Sequence, residues 1–488
     1  MKPLSKSKLI AWRQCPKRLW LEIHHPELRE DSAATEKSYA EGNQIGELAR
    51  QLYDPKGKGE LVDFWEEGMA AAFARTQTLL QGKQPIFEAG LNLPDEGVRA
   101  FADIMLPVRG GRWRMVEVKS SASVKDYHRD DAAIQTYIAQ KMGIALTGVA
   151  LACVDSSWVY PGGGDYDGLL VEHDLTDEAM ERADEVEQWI KAAHTVAAKR
   201  KAPNIATGDQ CGDPYECGFY NYCSSQEPQA EYPVEWLPRR SKKIKETGAS
   251  DMREVSDDLL NETQLRVKHA TLSGEIWFDG EGAAEKLAAH KLPAYFLDFE
   301  TIRFTVPIWK GTRPYQQIPF QFSVQKLSRN GKVTETPFLD LSGDDPSRAL
   351  AEALIDACGT SGPIFAYNAK FEAGRIADLA ARFPKLKKPL LALNDRLVDL
   401  LPIAQAHYYH PSQQGSWSIK SVLPALCPDL SYDDLEGVQH GGMAMEAYLE
   451  AIAPETAEER RQEIEEQLLA YCGLDTWAMV RIWEVFKG

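Results

Sequence analysis

Residues 293–302 read PAYFLDFETI, an apolar run that ends in acids. A short apolar run of this kind predicts a buried strand. Because strand side chains alternate with a period of two, Asp298 and Glu300 are expected to point to the same side of the sheet. Two carboxylates at the end of an apolar strand are costly to bury unless something positive binds them. The stretch therefore predicts a central strand that offers oxygen ligands to a divalent cation.

Two later segments supply further acids for the same site. The run GPIFAYNAKFE at 362–372 predicts a strand that leads into a helix, with Glu372 near the start of the helix. Tyr471 and Asp475 lie four residues apart in a predicted helix, so they share one face. Carboxylates from a strand and two helices can form a two-metal site, in which one Mg²⁺ or Mn²⁺ activates water and the other stabilises the leaving oxygen of a phosphodiester. Tyr471 could orient that water.

In their order and context, these motifs resemble the DnaQ-like 3′–5′ exonucleases of the RNase H-like fold, in the subgroup with tyrosine in the third motif. The resemblance assigns Asp298 and Glu300 to the first motif, Glu372 to the second, and Tyr471 with Asp475 to the third. The chain departs from the family at Glu372, where aspartate is usual. Since glutamate is one methylene longer, the second metal is expected to sit differently or to bind more weakly.

Two further residues fall in a stretch that resembles the middle of the same exonuclease family. Asp399 lies in DRLVDLL, and we expect it to be a structural or secondary acid rather than a ligand. Lys420 lies in GSWSIKSVLPAL, where it either contacts a phosphate or is solvated.

A second group of polar residues lies in the N-terminal half, where residues 85–120 alternate between short runs and turns typical of a hairpin-rich sheet. Asp103 lies in one predicted strand, and Glu117 and Lys119 share a face of the next. An Asp and a Glu at one site can hold Mg²⁺ or Mn²⁺, and a lysine beside them can orient a water or offset charge on a phosphate. Glu88 is a candidate accessory ligand. A surface hairpin with solvated charges is the alternative interpretation.

These residues, followed by Gln135 and Tyr137, resemble the PD-(D/E)XK nuclease core of the RecB-like group. The Q-x-x-x-Y helix of that group is approximated here with a spacing shorter by two. Members usually carry a histidine after a G-x-x-x-H pattern on the N-terminal helix, and Gly46 occupies that position, with Glu47 beside it. The resemblance therefore implies either a missing metal ligand or a substitution by Glu47.

Three cysteines are clustered as C-x5-C-x5-C at Cys211, Cys217 and Cys223, and Cys15 lies far upstream. This spacing does not match the C-x2-C zinc patterns, and thiolates also favour iron–sulfur clusters, so zinc, iron–sulfur or three loop cysteines remain open on spacing alone. The arrangement resembles the iron–sulfur nucleases of CRISPR adaptation and of the AddB repair subunit. That resemblance implies a [4Fe–4S] cluster held by these four cysteines, which ties the two ends of the domain together.

Length and composition set the limits of this interpretation. The chain has 488 residues, and 44% of them are apolar, which excludes a mostly disordered chain. Its net charge of −18 argues against a strongly basic nucleic-acid-coating protein. The N-terminus shows no signal-peptide pattern and no stretch of about 18 apolar residues is present, so we expect a soluble, cytoplasmic protein without membrane contact.

The sequence as a whole predicts an α/β protein with a RecB-like PD-(D/E)XK domain at 1–230, a linker with a small helical module at 231–290, and an RNase H-like exonuclease domain at 291–488. The predicted function is a metal-dependent nuclease for DNA or RNA, with single-stranded ends as the expected substrate. The alternative is a nucleic-acid-binding scaffold, or a partner subunit of a repair or defence complex, in which only one domain cuts. No G-x-x-x-x-G-K-[ST] ATPase motif is present, so any unwinding would come from a helicase partner.

Overall fold

The computed structural model describes residues 3–488 and confirms the prediction of a mixed α/β protein. The chain divides into two compact units. Unit 1 contains the chain up to Pro228 together with Phe304–Gln316, and unit 2 contains Gln229–Arg303 and Gln317–Gly488. Among the helices of the described part, none is both long enough and apolar enough to cross a bilayer.

Unit 1 is built on a seven-stranded mixed sheet with the strand order β2-β3-β4-β5-β6-β7, and β1 pairs with β4 beside this path. The strands β3, β4 and β5 are consecutive antiparallel neighbours, whereas β5 and β6 are parallel. The strands are β1 (Leu4–Ser5), β2 (Glu60–Leu61), β3 (Ile86–Leu93), β4 (Val98–Val108), β5 (Arg112–Lys119), β6 (Leu146–Val154) and β7 (Leu170–Asp174).

In the described part of unit 1, nine α-helices accompany this sheet. They are α1 (Lys6–Gln14), α2 (Pro16–His24), α3 (Ala33–Tyr53), α4 (Phe64–Glu67), α5 (Met69–Leu79), α6 (Asp126–Lys141), α7 (Thr176–Glu181), α8 (Ala183–Ala197) and α9 (Tyr220–Ser225). The parallel step from β5 to β6 is made through α6, which is buried along most of its length. Helices α1, α2, α6 and α8 pack with one face of the sheet in the main apolar cluster, and a smaller cluster around Ala49 of α3 and Phe87 of β3 covers the other.

Unit 1 also includes a segment from much later in the chain, Phe304–Gln316. Val306 packs in an apolar cluster with Ile45 and Leu169. Backbone hydrogen bonds join Gly311 N to Tyr160 O at 2.8 Å and Tyr160 N to Thr312 O at 3.0 Å. This segment is therefore a structural part of unit 1, although the chain reaches it only after 75 residues of unit 2, Gln229–Arg303.

Unit 2 is built on a five-stranded mixed sheet with the order β11-β10-β9-β12-β13, so β9 is the central strand. The strand β9 is antiparallel to β10 and parallel to β12, and a separate two-stranded sheet pairs β14 with β8. The strands are β8 (Trp277–Phe278), β9 (Ala294–Ile302), β10 (Ile318–Leu327), β11 (Val333–Leu339), β12 (Ile364–Ala366), β13 (Leu397–Asp399) and β14 (Tyr408–Tyr409).

Ten helices belong to unit 2. They are α10 (Lys242–Glu246), α11 (Glu262–Ser273), α12 (Gly280–Ala288), α13 (Ser347–Cys358), α14 (Lys370–Arg382), α15 (Lys387–Asn394), α16 (Leu400–His407), α17 (Ile419–Leu426), α18 (Gly441–Ile452) and α19 (Glu458–Lys487). Consecutive residues of β9 pack on opposite faces of the sheet. Phe296 packs with Met479 and Trp483 of α19, whereas Leu297 packs with Leu350 and Leu354 of α13.

The segment 231–290, for which we predict a linker with a small helical module, contains α10, α11 and α12. Its apolar side chains Val234, Ile244 and Val267 are buried, and they belong to the same cluster as Phe296 of β9. This stretch thus contributes to the core of unit 2.

Candidate functional site

The central strand of unit 2 places two acids next to α19. Phe296 faces α19, and because side chains of a strand alternate, Asp298 and Glu300 point to the same side. Ser323 of the neighbouring strand β10 pairs directly with Asp298 across the ladder. The acids are therefore fixed by the register of a buried sheet rather than by a loop.

Hydrogen bonds from β10 hold α19 against this sheet. The Gln321 amide donates from Nε2 to the Leu468 carbonyl at 2.7 Å, and the hydroxyls of Ser323 and Thr476 lie 2.7 Å apart. These contacts fix the stretch of α19 that contains Asp475. As a result, one carboxylate oxygen from each of Asp298, Glu300 and Asp475 lies within 4.8 Å of the other two. Within residues 3–488, no other group of three or more His, Cys, Asp or Glu side chains has its ligand atoms within 4.8 Å of one another.

The electrostatics of these three acids favour a bound cation. Burial, and then repulsion from Asp475, raises the pKa of Glu300 to about 8. Burial raises the pKa of Asp475 to about 6, and burial with repulsion from Asp475 and Glu300 raises the pKa of Asp298 well above its usual range. Each carboxylate is thus destabilised in its charged form, and a divalent cation is the ligand that would relieve this repulsion.

Glu372 lies in the first turn of α14 and is 3% exposed. Its Oε2 atom is buried without a hydrogen-bond partner, and burial raises its pKa to about 8. Glu372 stands outside the three-acid group, but it is near enough to contribute to the raised pKa of Asp298. An unpartnered buried carboxylate oxygen beside three clustered acids is the donor set expected of a divalent cation site.

Asp399, by contrast, has a structural contact. It is the N-cap of α16, and its Oδ1 accepts hydrogen bonds from the backbone N–H groups of Leu401 and Asn368, both at 3.0 Å. This cap fixes the backbone of Asn368, which has a φ of 73°, four residues before Glu372.

Two tyrosines and a lysine surround Asp475. Tyr471 lies one helical turn before Asp475 on α19, and the Tyr432 hydroxyl donates to Asp475 Oδ1 at 2.5 Å. Lys420 Nζ lies 4.9 Å from the centre of the Tyr471 ring and 5.0 Å from that of Tyr432, and it donates to the Gln439 carbonyl at 2.7 Å. Burial lowers the pKa of Lys420, although it is attracted to the nearby acids. Sequence reasoning missed Tyr432, because no local pattern links it to a residue 43 positions later.

The predicted residues of unit 1 also meet, but in a different arrangement. Glu117 is 2% exposed, and its Oε1 accepts from Lys119 Nζ at 2.9 Å and from Lys6 Nζ at 2.6 Å. Its other oxygen, Oε2, accepts from Gln135 Nε2 at 2.6 Å. Asp103 Oδ2 accepts from the backbone N–H of Val118 at 2.7 Å.

The lysines control the ionisation of this centre. Burial opposes the charge on Glu117, but Lys119 and Lys6 outweigh it and lower the pKa of Glu117. Burial and then repulsion from Glu117 raise the pKa of Asp103 well above its usual range, and the same causes raise that of Glu88.

Two of the accessory candidates lie elsewhere in unit 1. The Tyr137 hydroxyl donates to Glu96 Oε2 at 2.6 Å. Glu47 is on the exposed side of α3, where it lines a shallow depression with Arg50 and Asp54.

Sequence reasoning missed two residues of this centre, Lys6 and Asp131. Lys119 Nζ donates to Asp131 Oδ2 at 2.6 Å, and Lys6 Nζ lies 3.9 Å from the same oxygen. Asp131 could have been found, because it precedes Gln135 by four residues on α6 and thus shares its face. Lys6 gives no local signal, since it is 111 residues from Glu117.

The four clustered cysteines line one small cavity of unit 1. Cys15 joins α1 to α2, and the backbone N–H of Cys217 donates to the Cys211 carbonyl at 2.8 Å. Burial raises the pKa of the Cys217 and Cys223 thiols. Lys17 also lines this cavity, and its positive charge would offset the charge of a thiolate at Cys223. No three of these sulfur atoms lie within 4.8 Å of one another, which is too far apart for one tetrahedral zinc ion with Zn–S bonds of about 2.3 Å. Four thiols around one cavity therefore suit a cluster better than a single metal ion.

Comparison with known proteins gives limited matches. Residues 295–418 match the model of a family described as "Domain of unknown function (DUF2779)", a stretch that includes Asp298, Glu300 and Glu372. A search of curated proteins gave no match. A solved structure described as "Crystal structure of SSO0001" is similar at 14% sequence identity and a TM-score of 0.25, over 46% of this chain and 88% of that one.

Proposed function

We propose that unit 2 is a metal-dependent phosphodiester hydrolase, a 3′–5′ exonuclease of the RNase H-like type that acts on DNA or RNA ends. The observation that supports this most directly is the group formed by Asp298, Glu300 and Asp475, with oxygens within 4.8 Å and with raised pKa values. A mixed sheet with β9 at its centre supports the same fold assignment, because it positions two of the acids on a rigid element.

Each residue of the candidate site in unit 2 has a separate proposed role. Asp298, Glu300 and Asp475 would hold a divalent cation such as Mg²⁺ or Mn²⁺, with the free Oε2 of Glu372 as a further donor. The bound cation would lower the pKa of a water and stabilise charge on the phosphate. Tyr471 lies one helical turn before the ligand Asp475, and its hydroxyl would orient the water.

Lys420 is the cation beside this group. Its ammonium lies over the rings of Tyr432 and Tyr471 and is attracted to the nearby acids of the group. When a cation neutralises the acids, the lysine is free to pair with a phosphate oxygen of the substrate, as a compact point charge.

For unit 1 we propose a RecB-like PD-(D/E)XK core with a [4Fe–4S] cluster bound by Cys15, Cys211, Cys217 and Cys223. The shared cavity of the four thiols supports this assignment. A cluster there would join the start of unit 1 to a segment about 200 residues later, and closing so long a loop stabilises the folded state. Cysteines that bind a metal cluster instead of forming disulfides are typical of a reducing compartment, which supports a cytoplasmic location.

The test is digestion of end-labelled single- and double-stranded DNA and RNA with Mg²⁺ or Mn²⁺ by the full chain. Replacement of Asp298 by Ala should slow 3′–5′ trimming by about 10³-fold or more, because metals and positioned charges supply most of the catalysis. The matched control is Asp344→Ala, at an exposed acid of the same unit. If Asp298→Ala trims as fast as wild type while Lys119→Ala does not, cutting belongs to unit 1 and the proposal is wrong.

A further inference from the structure

The centre of unit 1 has the same types of residue as a metal-dependent nuclease centre, but its central carboxylate, Glu117, already accepts three hydrogen bonds from protein donors. Both oxygens of Glu117 are engaged: Oε1 accepts from Lys6 and Lys119, and Oε2 accepts from Gln135. A carboxylate has about four lone-pair sites, so three short hydrogen bonds leave little room for a further ligand interaction. A divalent cation bound to either oxygen would compete with these donors.

Two acids of this centre are also paired with cations without a metal. Lys6 and Lys119 contribute two ammonium groups, and both are close to the two acids Glu117 and Asp131. A divalent cation next to Glu117 would therefore meet two positive charges at short range.

The other acids do not compensate for this. Asp103 uses one oxygen to accept from the backbone N–H of Val118, and Glu88 belongs to the preceding strand β3. Neither forms, with Glu117, a group of three oxygens within 4.8 Å of one another, whereas the three acids of unit 2 do. The donor set of unit 1 therefore does not fit Mg²⁺ or Mn²⁺.

We propose that Lys6 is a resident cation of unit 1, whose ammonium takes the place on Glu117 that a divalent metal would take. Lys6 is held there by its position at the start of α1, directly after β1, whose residue Leu4 pairs with Val98 of β4. Its side chain is only 18% exposed, so it is a fixed partner of Glu117 rather than a solvated lysine. The centre thus keeps its nuclease-like residues but binds no divalent cation, and unit 1 serves as a non-cutting part of the protein. This inference concerns unit 1 alone and stands whether or not unit 2 cuts.

The experiment measures Mn²⁺ binding by electron paramagnetic resonance in the full chain. An Asp298→Ala background removes the unit 2 site, so any remaining bound Mn²⁺ reports on unit 1. With Lys6 present, this background should show no specific Mn²⁺ site. Adding Lys6→Met, which keeps an unbranched side chain of similar volume and removes its charge, should create one site with at least about ten-fold tighter binding. Lys6→Arg, which keeps the charge, should not.

Two comparisons complete the design. Lys8→Met is the matched control, because Lys8 is on the same helix but its Nζ donates to the Glu22 carbonyl. If the Asp298→Ala background with Lys6 intact already binds Mn²⁺, and Asp103→Asn abolishes this binding, the inference is overturned even if Lys6→Met fails to fold. It is also overturned if Lys6→Met folds, as judged by circular dichroism, and binds Mn²⁺ no more tightly. Loss of Mn²⁺ between wild type and Asp298→Ala reports on unit 2 separately.

Discussion

In the absence of divalent cations, Glu300→Gln should make unit 2 more stable at pH 8, although it removes a residue of the candidate site. Glu300 is 7% exposed, and burial with repulsion from Asp475 raises its pKa from 4.5 to about 8. An acid with a higher pKa in the folded state binds more protons when folded. The stability that it contributes is therefore complete below the unfolded pKa and is lost as the pH rises through the folded one.

The size of the effect follows from the size of this shift. One pKa unit corresponds to about 1.4 kcal/mol, so a rise from 4.5 to about 8 corresponds to roughly 5 kcal/mol that is lost by pH 8. The new amide must also be desolvated, and this offsets part of the gain. We therefore expect the free energy of unfolding to increase by about 2 kcal/mol at pH 8, and by little or nothing at pH 4.5.

The assay should report on unit 2 alone, because a chain of two units has no single free energy of unfolding. Hydrogen exchange of peptides from α19, in urea with EDTA, provides such a local measure. Saturating Mn²⁺ should reverse the order of stability, since a ligand at 100 times its Kd stabilises the protein that binds it by about 2.7 kcal/mol. Glu465→Gln, on the exposed face of α19, is the control. If Glu300→Gln is less stable than wild type at pH 8 in EDTA, the acids do not repel one another and the reasoning is refuted.

Three further outcomes are expected. Tyr471→Phe should slow trimming by roughly 10–10²-fold, less than a ligand substitution, because only the orienting hydroxyl is lost; single-turnover rates measure this. The Mn²⁺ affinity of unit 2 should rise between pH 6 and pH 8, because Asp475, with a pKa of about 6, and Glu300, with a pKa of about 8, lose their protons in this range. Titration calorimetry at a series of pH values measures this affinity, and the absence of a rise would contradict the assignment of the ligands. Anaerobically purified protein should absorb broadly at roughly 400 nm, and Cys211→Ala should abolish this band and destabilise unit 1. Stoichiometric zinc without iron in the purified protein would contradict the proposed iron–sulfur cluster.

Sequence patterns predict the parts of the sites that lie within one element. The period of two placed Asp298 and Glu300 on one face of a strand, and the structure brings them within 4.8 Å of Asp475. The helical spacing of four places Tyr471 beside Asp475, and both are buried on α19. Such relations depend on backbone geometry alone, which a sequence determines locally.

Partners that come from distant segments could not be predicted in this way. Tyr432 lies in a short 3-10 turn, Tyr432–Asp434, and its hydroxyl contacts Asp475 from there. Because this is a single contact between distant segments, no spacing in the sequence identifies it. Lys6 reaches Glu117 because a two-residue strand aligns the start of the chain with β4. Contacts of this kind depend on the packing of whole elements, and a single sequence without homologues contains no direct record of that packing.

The late segment Phe304–Gln316 has a consequence for how the protein is made. A chain that emerges from the ribosome as far as Pro228 contains every strand and helix of unit 1, but not Val306, which packs against Ile45 and Leu169. It also lacks Tyr315, whose hydroxyl donates to the Ser120 carbonyl at 2.5 Å, directly after β5. Domains generally fold in the order of their synthesis, but here the first unit stays incomplete until part of the second has been translated. Nascent unit 1 therefore exposes an apolar site for the time that translation takes to reach Gln316, and fragments that end near Pro228 retain that site permanently.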